Sequence, residues 1–149
     1  MSWFIFDLDG TLALIEERRS RARLSSGKMD FDVMFDPDLI TLDEPNWPVI
    51  NSFKALQKAG FQVGIFSGRS AVTEQETKDW LTNYGVKPDL MVMREEGDYT
   101  PDDQLKKSWF IKYFGDGSDV EAIFDDRQKV VDMWRSIGLT CFQVAPGNF

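Results

Sequence analysis

The sequence predicts an α/β fold, a Rossmann-like three-layer sandwich whose five-stranded, mainly parallel sheet is covered by helices on both faces. Three observations predict it. Apolar runs of strand length alternate with amphipathic segments of helix length. The links between them are short, and most predicted helices run into a glycine. Strands separated by helices pair in parallel, because the crossover returns the chain to the same edge of the sheet.

Ser2–Phe6 reads as the first buried strand. Pro48–Ala59 reads as a helix with Val49, Phe53 and Leu56 on one face and Gly60 as its stop. Phe61–Phe66 is the second strand, and Val72–Tyr84 a helix with Trp80, Leu81 and Tyr84 inward and Gly85 as its stop. Asp89–Met93 is the third strand, followed by a helix over Asp102–Phe114 between Pro101 and Gly115. Val120–Phe124 is the fourth strand. Gln128–Ile137 is a helix with Val130, Val131 and Trp134 inward, closed by Gly138, and Thr140–Val144 is the fifth strand. The residues from about 12 to 46 break this rhythm. They are rich in charge and then in Asp and Pro, and their composition offers no core of its own. A connection of that length is usually a functional loop or small cap. The expectation is one domain over residues 1–149 with a cap-like insertion after the first strand.

Bulk composition narrows the function. The 149 residues are 42% apolar, enough for a packed core. The net charge of −8 argues against a general nucleic-acid coat protein, which needs a basic face, but not against an enzyme that grips a strand end or a single nucleotide. A phosphate can still sit in an acidic site if a divalent cation lies between them. One cysteine, Cys141, permits no internal disulfide and suits a reducing compartment. The N-terminal MSWFIF lacks a basic leader and is too short for a signal peptide. No stretch approaches membrane-spanning length, so a soluble, cytoplasmic protein without membrane partners is expected, and a homo-oligomer stays open. With no histidine in the chain, a Ser-His-Asp triad and histidine metal sites are excluded. Hydrolysis here must run on carboxylates, hydroxyls, lysines, arginines and a hard metal.

Three predicted strands end in chemistry. The first runs into Asp7-Leu8-Asp9-Gly10-Thr11, the second into Ser67-Gly68-Arg69, the fourth into Asp125-Asp126-Arg127. In a parallel sheet these points share the carboxyl edge, where open α/β sheets bind ligands. Four carboxylates brought together repel one another unless a cation pairs with them, and Mg2+ meets that need with oxygen ligands. Asp7, Asp9, Asp125 and Asp126 are the candidate ligands. Asp7, held ionised beside a phosphorus atom, can attack it. Asp9, followed by Gly10 for a sharp turn, can give a proton to the leaving oxygen and later take one from water; the first role needs a raised pKa, which crowded carboxylates favour. Ser67 can donate to a phosphoryl oxygen, and Lys106 or Lys107 can add fixed positive charge. Taken alone, Ser67-Gly68-Arg69 could equally be a turn with a helix cap, Lys106 a solvated lysine, and Arg94 a surface partner of Glu95 or Asp98.

These residues resemble the four motifs of the haloacid dehalogenase-like phosphohydrolases. Asp7–Thr11 resembles the first, Ser67–Arg69 the second, Lys106 the third and Asp125-Asp126 the fourth. A closer resemblance, carried by Arg94–Asp98, Asp102-Asp103, Asp125–Arg127, Val131–Arg135 and Cys141–Ala145 with Gly147 and Phe149, is to the 3′-phosphatase domains of the polynucleotide kinase/phosphatase family. It implies removal of a 3′-phosphate from a nucleic-acid end or nucleotide. By that resemblance Asp7 is the nucleophile, Asp9 the acid/base and Asp126 the direct metal ligand with Asp125 beside it. Arg18, Gly68, Arg69, Arg94, Asp102 and Arg127 would meet phosphate or substrate, with Ser67 and Lys106 in catalytic support. No GxxxxGK[ST] loop is present, so a stand-alone phosphatase is expected, and residues 20–41 are longer than the family pattern.

The run Arg18, Arg19, Arg21, Arg23 and Lys28 is the one dense basic patch, readable as a grip for substrate phosphates or as a solvated face tempered by Glu16 and Glu17. Phe35 and Trp47 are candidates for stacking on a base; Trp3, Trp80, Trp109 and Trp134 read as core. The competing functions are a phosphatase of nucleoside monophosphates or another small metabolite, and a non-catalytic binding module. The latter predicts loss of a motif element, and none is lost.

Overall fold

A computed structural model describes residues 2–149. β1 (Trp3–Phe6) leads into a tight turn and then the insertion. The insertion holds β2 (Ala13–Leu14), α1 (Glu16–Ala22), the four-residue α2 (Phe31–Met34), a 3₁₀ segment (Pro37–Leu42) and β3 (Glu44–Pro45), which pairs antiparallel with β2. The chain then alternates through α3 (Trp47–Lys58), β4 (Gln62–Ser70), α4 (Glu74–Asn83), β5 (Leu90–Arg94), α5 (Asp102–Phe114), β6 (Val120–Asp125), α6 (Gln128–Ser136) and β7 (Cys141–Gln143). The main sheet has the order β5-β4-β1-β6-β7, and all its pairings are parallel. All five expected sheet strands and all four expected crossover helices are present.

The layers follow from strand periodicity. Successive side chains point to opposite faces of a strand, so Ile5 joins Phe66, Ile123, Phe110, Val131 and Trp134 on one side of the sheet. Phe6 joins Ile65, Ile50, Phe53, Trp80 and Leu81 on the other. Thus α5 and α6 cover the first face, α3 and α4 the second. Trp134 is fully buried and meets Phe110 edge-on, with ring centroids 5.7 Å apart. Burial of each such side chain is worth roughly 1.5–3 kcal/mol. Among the described residues no helix is long and apolar enough to cross a membrane.

Two expected boundaries move. The second strand continues through the Ser67-Gly68-Arg69 motif to Ser70, with a register irregularity against β5 between Ser67 and Ser70. The motif is therefore a bulged strand end rather than a turn. The helix expected from Val72 begins instead as a 3₁₀ turn (Ala71–Thr73), whose start is capped by the Ser70 hydroxyl accepting from the Val72 amide, and turns α-helical at Glu74.

The insertion shares the core of the sheet. Leu12, Ala13, Ile15 and Ile40 are fully or almost fully buried in the same cluster as Phe6, Phe53 and Trp80. Its apolar residues are too few to close on one another, so they complete the α3/α4 layer. Ile40→Ala should therefore lower global stability by about 2–5 kcal/mol in a single urea transition, whereas Leu24→Ala, at a half-exposed position of the same segment, should change it by under about 0.5 kcal/mol. A separate early transition, or no loss for Ile40→Ala, would show that the insertion folds apart from the sheet.

Candidate active site

Strand register brings the motifs together. Phe6 pairs with Ile65 on one side and Phe124 on the other, and the Asp7 amide donates to the Phe124 carbonyl at 2.8 Å. The chain passes from β1 to β4 on one side and returns from β5 to β6 on the other, and the crevice that opens at this reversal holds Asp7, Ser67 and Asp125 at neighbouring strand ends. Gly10 sits at φ +81°, and a Cβ there would collide with the Asp126 carboxylate. Glycine is needed at this position for its backbone conformation and for the close approach of Asp126.

Asp7, Asp125 and Asp126 form one buried cluster, with a carboxylate oxygen from each within 4.8 Å of the others. One ammonium pairs with two of the three. Lys106, buried on α5, donates to Asp7 Oδ1 at 2.7 Å and to Asp125 Oδ2 at 3.2 Å. Thr11 donates to Asp7 Oδ2 at 3.1 Å. Burial pushes the Asp7 carboxyl well above the usual carboxylate range, reinforced by Asp125 and Asp126 and opposed by Lys106. Burial also raises Asp126. Burial alone would lower Lys106, but the Asp125 and Asp7 carboxylates outweigh it and hold the ammonium charged. Asp125 is saturated: Oδ1 accepts from the Asp126 amide at 2.8 Å, and Oδ2 from Lys106 and from Trp134 Nε1 at 3.3 Å. Asp7 and Asp126 are freer to bind something else. Three carboxylates against one ammonium leave two negative charges unpaired when all are ionised, and among the described residues no histidine or cysteine joins the cluster. The donor set fits a divalent cation of the Mg2+ type.

Asp9 was expected among those ligands, but its side chain does not join this cluster. Its carboxylate faces a second cluster. Oδ1 accepts from Arg69 Nε at 2.7 Å and from Arg18 Nη2 at 2.9 Å. Both guanidinium groups also reach Asp43, with Arg69 Nη2 2.5 Å and Arg18 Nη2 2.9 Å from Asp43 Oδ2. The raised pKa expected of Asp9 is not found either. Burial pulls it upward, but Arg69 and Arg18 overcome this and hold it at about 2. Asp43 shares the same two partners, yet burial lifts its pKa above the usual carboxylate range. The cluster is fixed from outside by Arg69 Nη1 on Thr77 at 3.0 Å and by Trp80 Nε1 on the Asp43 carbonyl at 2.9 Å.

Arg18 and Arg69 were expected to meet substrate. Both side chains are fully buried, and all three Arg18 nitrogens are engaged, Nη1 on the Met34 carbonyl at 2.7 Å. They hold Asp9 instead. Arg94 lies under the loop that follows β5, donating to the carbonyls of Gly68, Asp98 and Thr100 and pairing with Asp102. It pairs with neither the Glu95 nor the Asp98 carboxylate. Asp102 also accepts from Arg127 Nη1 at 2.8 Å. A Cβ on Gly68 would stand 2.8 Å from Asp102 Oδ1, so Gly68 serves this packing. Ser67 is buried, and its Oγ accepts the Arg69 amide at 3.1 Å. Burial raises the Cys141 thiol to about 12, so it is no nucleophile.

Above the clusters lies a cavity of about 920 Å³ lined by Asp7, Asp9, Lys106 and Asp126 at its floor. Arg19 and Arg23 from the basic run reach its wall, whereas Arg21 pairs with Glu17 on the surface. The Phe149 ring packs under Arg19 at 4.3 Å, and its carbonyl accepts from Arg127 Nε at 2.9 Å. Phe35 lines the cavity together with Phe31; Trp47 lies outside it, edge-on to Tyr84. Sequence reasoning missed Asp43, which is one acid among the several of residues 30–44 and carries no local signal of burial. It also passed over Thr11 and Phe31.

The family model for the polynucleotide kinase PNKP phosphatase domain matches residues 1–149. A candidate bifunctional polynucleotide kinase/RNA ligase of Autographa californica nuclear polyhedrosis virus is 35% identical over 141 residues, 93% of this chain and 18% of the viral protein. A chain of the Pnkp1/Rnl/Hen1 RNA repair complex superposes with a TM-score of 0.82 at 34% identity, covering 99% of this chain and 43% of that one. This chain therefore spans less than half the length of either relative. D,D-heptose 1,7-bisphosphate phosphatase from B. bronchiseptica, solved with magnesium and phosphate, shares the fold alone, with a TM-score of 0.61 at 13% identity over 96% of this chain and 80% of that one. The match over the whole chain, joined to an intact set of strand-end motifs, places this protein in the PNKP phosphatase-domain family of haloacid dehalogenase-like phosphatases, as a phosphoric monoester hydrolase.

Proposed function

We propose that these residues act as one Mg2+-dependent phosphatase domain that removes 3′-phosphates from polynucleotide ends or nucleotides through an aspartyl-phosphate on Asp7. The observation that carries the reading is the buried Asp7–Asp125–Asp126 cluster with its single ammonium on the floor of an open cavity. Asp7 and Asp126 would hold the cation, with Asp125 orienting the cluster. When bound, it supplies charge compensation for the carboxylates and for the transferring phosphoryl group. The kinship with a polynucleotide kinase/RNA ligase and with a chain of an RNA repair complex supports nucleic-acid ends as substrates.

The residues divide the work. Asp7, oriented by Lys106 and Thr11, attacks phosphorus, and the ester oxygen leaves with a proton. Asp9 is the group placed to give that proton. The approach of a phosphate dianion raises its proton affinity against the pull of the two guanidiniums. Ionised again, Asp9 takes a proton from the water that hydrolyses the aspartyl-phosphate, which frees Asp7 and inorganic phosphate. Lys106 offsets charge on the transferring group throughout.

A panel of 3′-phosphorylated oligonucleotide, 3′- and 5′-nucleotides and sugar phosphates tests the substrate. Turnover should favour the 3′-phosphates and vanish on chelation with EDTA. Turnover confined to 5′-nucleotides or sugar phosphates would establish the small-metabolite reading instead. Asp7→Asn should lose at least about a thousandfold in kcat while its melting curve stays cooperative; a wild-type rate in that variant rules out the aspartyl-phosphate. Arg18→Ala should reduce turnover of an oligonucleotide and of a small aryl phosphate by similar factors, and lower stability by about 3–5 kcal/mol by leaving buried Asp43 undercompensated. A loss restricted to the oligonucleotide would mean that Arg18 touches the nucleic acid after all.

A further inference from the structure

α2 buries none of its side chains, although it presents Phe31 and Met34 and is followed by Phe35. Phe31 is 58% exposed, and its ring lies nearly parallel to that of Phe35, with centroids 5.9 Å apart and planes 22° from coincidence. Leaving such a ring in water forgoes the roughly 1.5–3 kcal/mol that full burial would return. All three side chains line the cavity that has Asp7 at its floor. At about 920 Å³ this cavity is far larger than a phosphate group and lies in the upper part of the range for sites that hold whole organic molecules, roughly 300–1,000 Å³.

The charges around it are uneven: on the aromatic wall two arginines outnumber Asp32. Arg19 and Arg23 flank the aromatic wall, with Arg23 bridged to Met29 beside α2. Glu95, Glu96 and Asp98 line the wall built by the loop after β5. A polyanion is attracted along the first wall and repelled along the second. An exposed aromatic face beside arginines, continuous with a phosphate site, matches the way single-stranded nucleic acid is held: bases on rings, backbone along cations. Met34 adds a flexible, polarizable contact that tolerates any base.

We propose that Phe31, backed by Phe35, is a stacking platform for the base of the nucleotide whose phosphate is removed, and that the preceding backbone leaves over Arg19 and Arg23. The site then reads a nucleoside together with its phosphate, with little preference among bases. This rests on the 3′-phosphatase reading of the chain.

The test compares two oligonucleotides with a 3′-phosphate, identical except that one ends in a base and the other in an abasic sugar. Phe31→Ala should raise KM for the base-bearing substrate by about tenfold with kcat unchanged, leave the abasic substrate within about twofold, and lose the wild-type preference between them. Phe31→Tyr should restore that preference. Equal effects on both substrates, or none on either, would overturn the platform while the 3′-phosphatase reading stands. If wild type turns over neither substrate, the 3′-phosphatase reading fails by itself. Fluorescence anisotropy of the same 5′-labelled oligonucleotides on Asp7→Asn then decides the platform. Tighter binding of the base-bearing strand that Phe31→Ala abolishes upholds it, and equal or absent binding overturns it.

Discussion

The structure turns on how the two carboxylates of the Asp7-Leu8-Asp9 segment are shared between two charge clusters. Asp9 and Asp43 face Arg18 and Arg69, two anions against two cations, and that cluster is electrically closed. Asp7, Asp125 and Asp126 face Lys106 alone, and that cluster is open by two charges. Two residues of β1's continuation therefore sit in opposite electrostatic settings. Burial lifts Asp7, while the guanidiniums hold Asp9 down. One carboxylate is pushed toward keeping a proton and the other toward giving it up, and the difference comes from neighbours rather than from residue type.

The fold makes that separation rigid. Lys106 comes from α5, whose apolar side belongs to the core on one face of the sheet. Arg18 and Asp43 come from the insertion, which belongs to the core on the other face. β1 lies between them at the centre of the sheet. The two clusters are thus approached from opposite layers, and Trp134 and Trp80 bring an indole N–H to each from its own side, to Asp125 and to the Asp43 carbonyl.

Much of this was legible in the sequence. Strand and helix periodicity gave the layers, because β1 and its partners are buried on both faces and read as apolar runs. Strand ends rich in Asp, Ser and Arg pointed to one edge. What could not be read were the directions of long side chains. Arg18 and Arg69 look like phosphate ligands in a list of motifs, yet an arginine turns inward when a buried carboxylate such as Asp43 waits for it, and nothing local distinguishes Asp43 from Asp36 or Asp38. Likewise β4 keeps its extended form through Ser67–Ser70 because pairing with β5 resumes at Arg94, a long-range fact that turn-forming residues conceal.

The double duty of the insertion has a consequence for how such a protein can diversify. One side of this segment holds Arg18, Ile40 and Asp43, which fix the Asp9 carboxylate and complete the core. The other side presents Arg19, Arg23, Phe31 and Phe35 to the cavity. Grafting in a different cap would remove the support of Asp9 along with the cavity wall. New substrate preferences are therefore reachable through point changes on the outer side and not through exchange of the segment, so the evolvability of the site is confined to one face of about thirty residues.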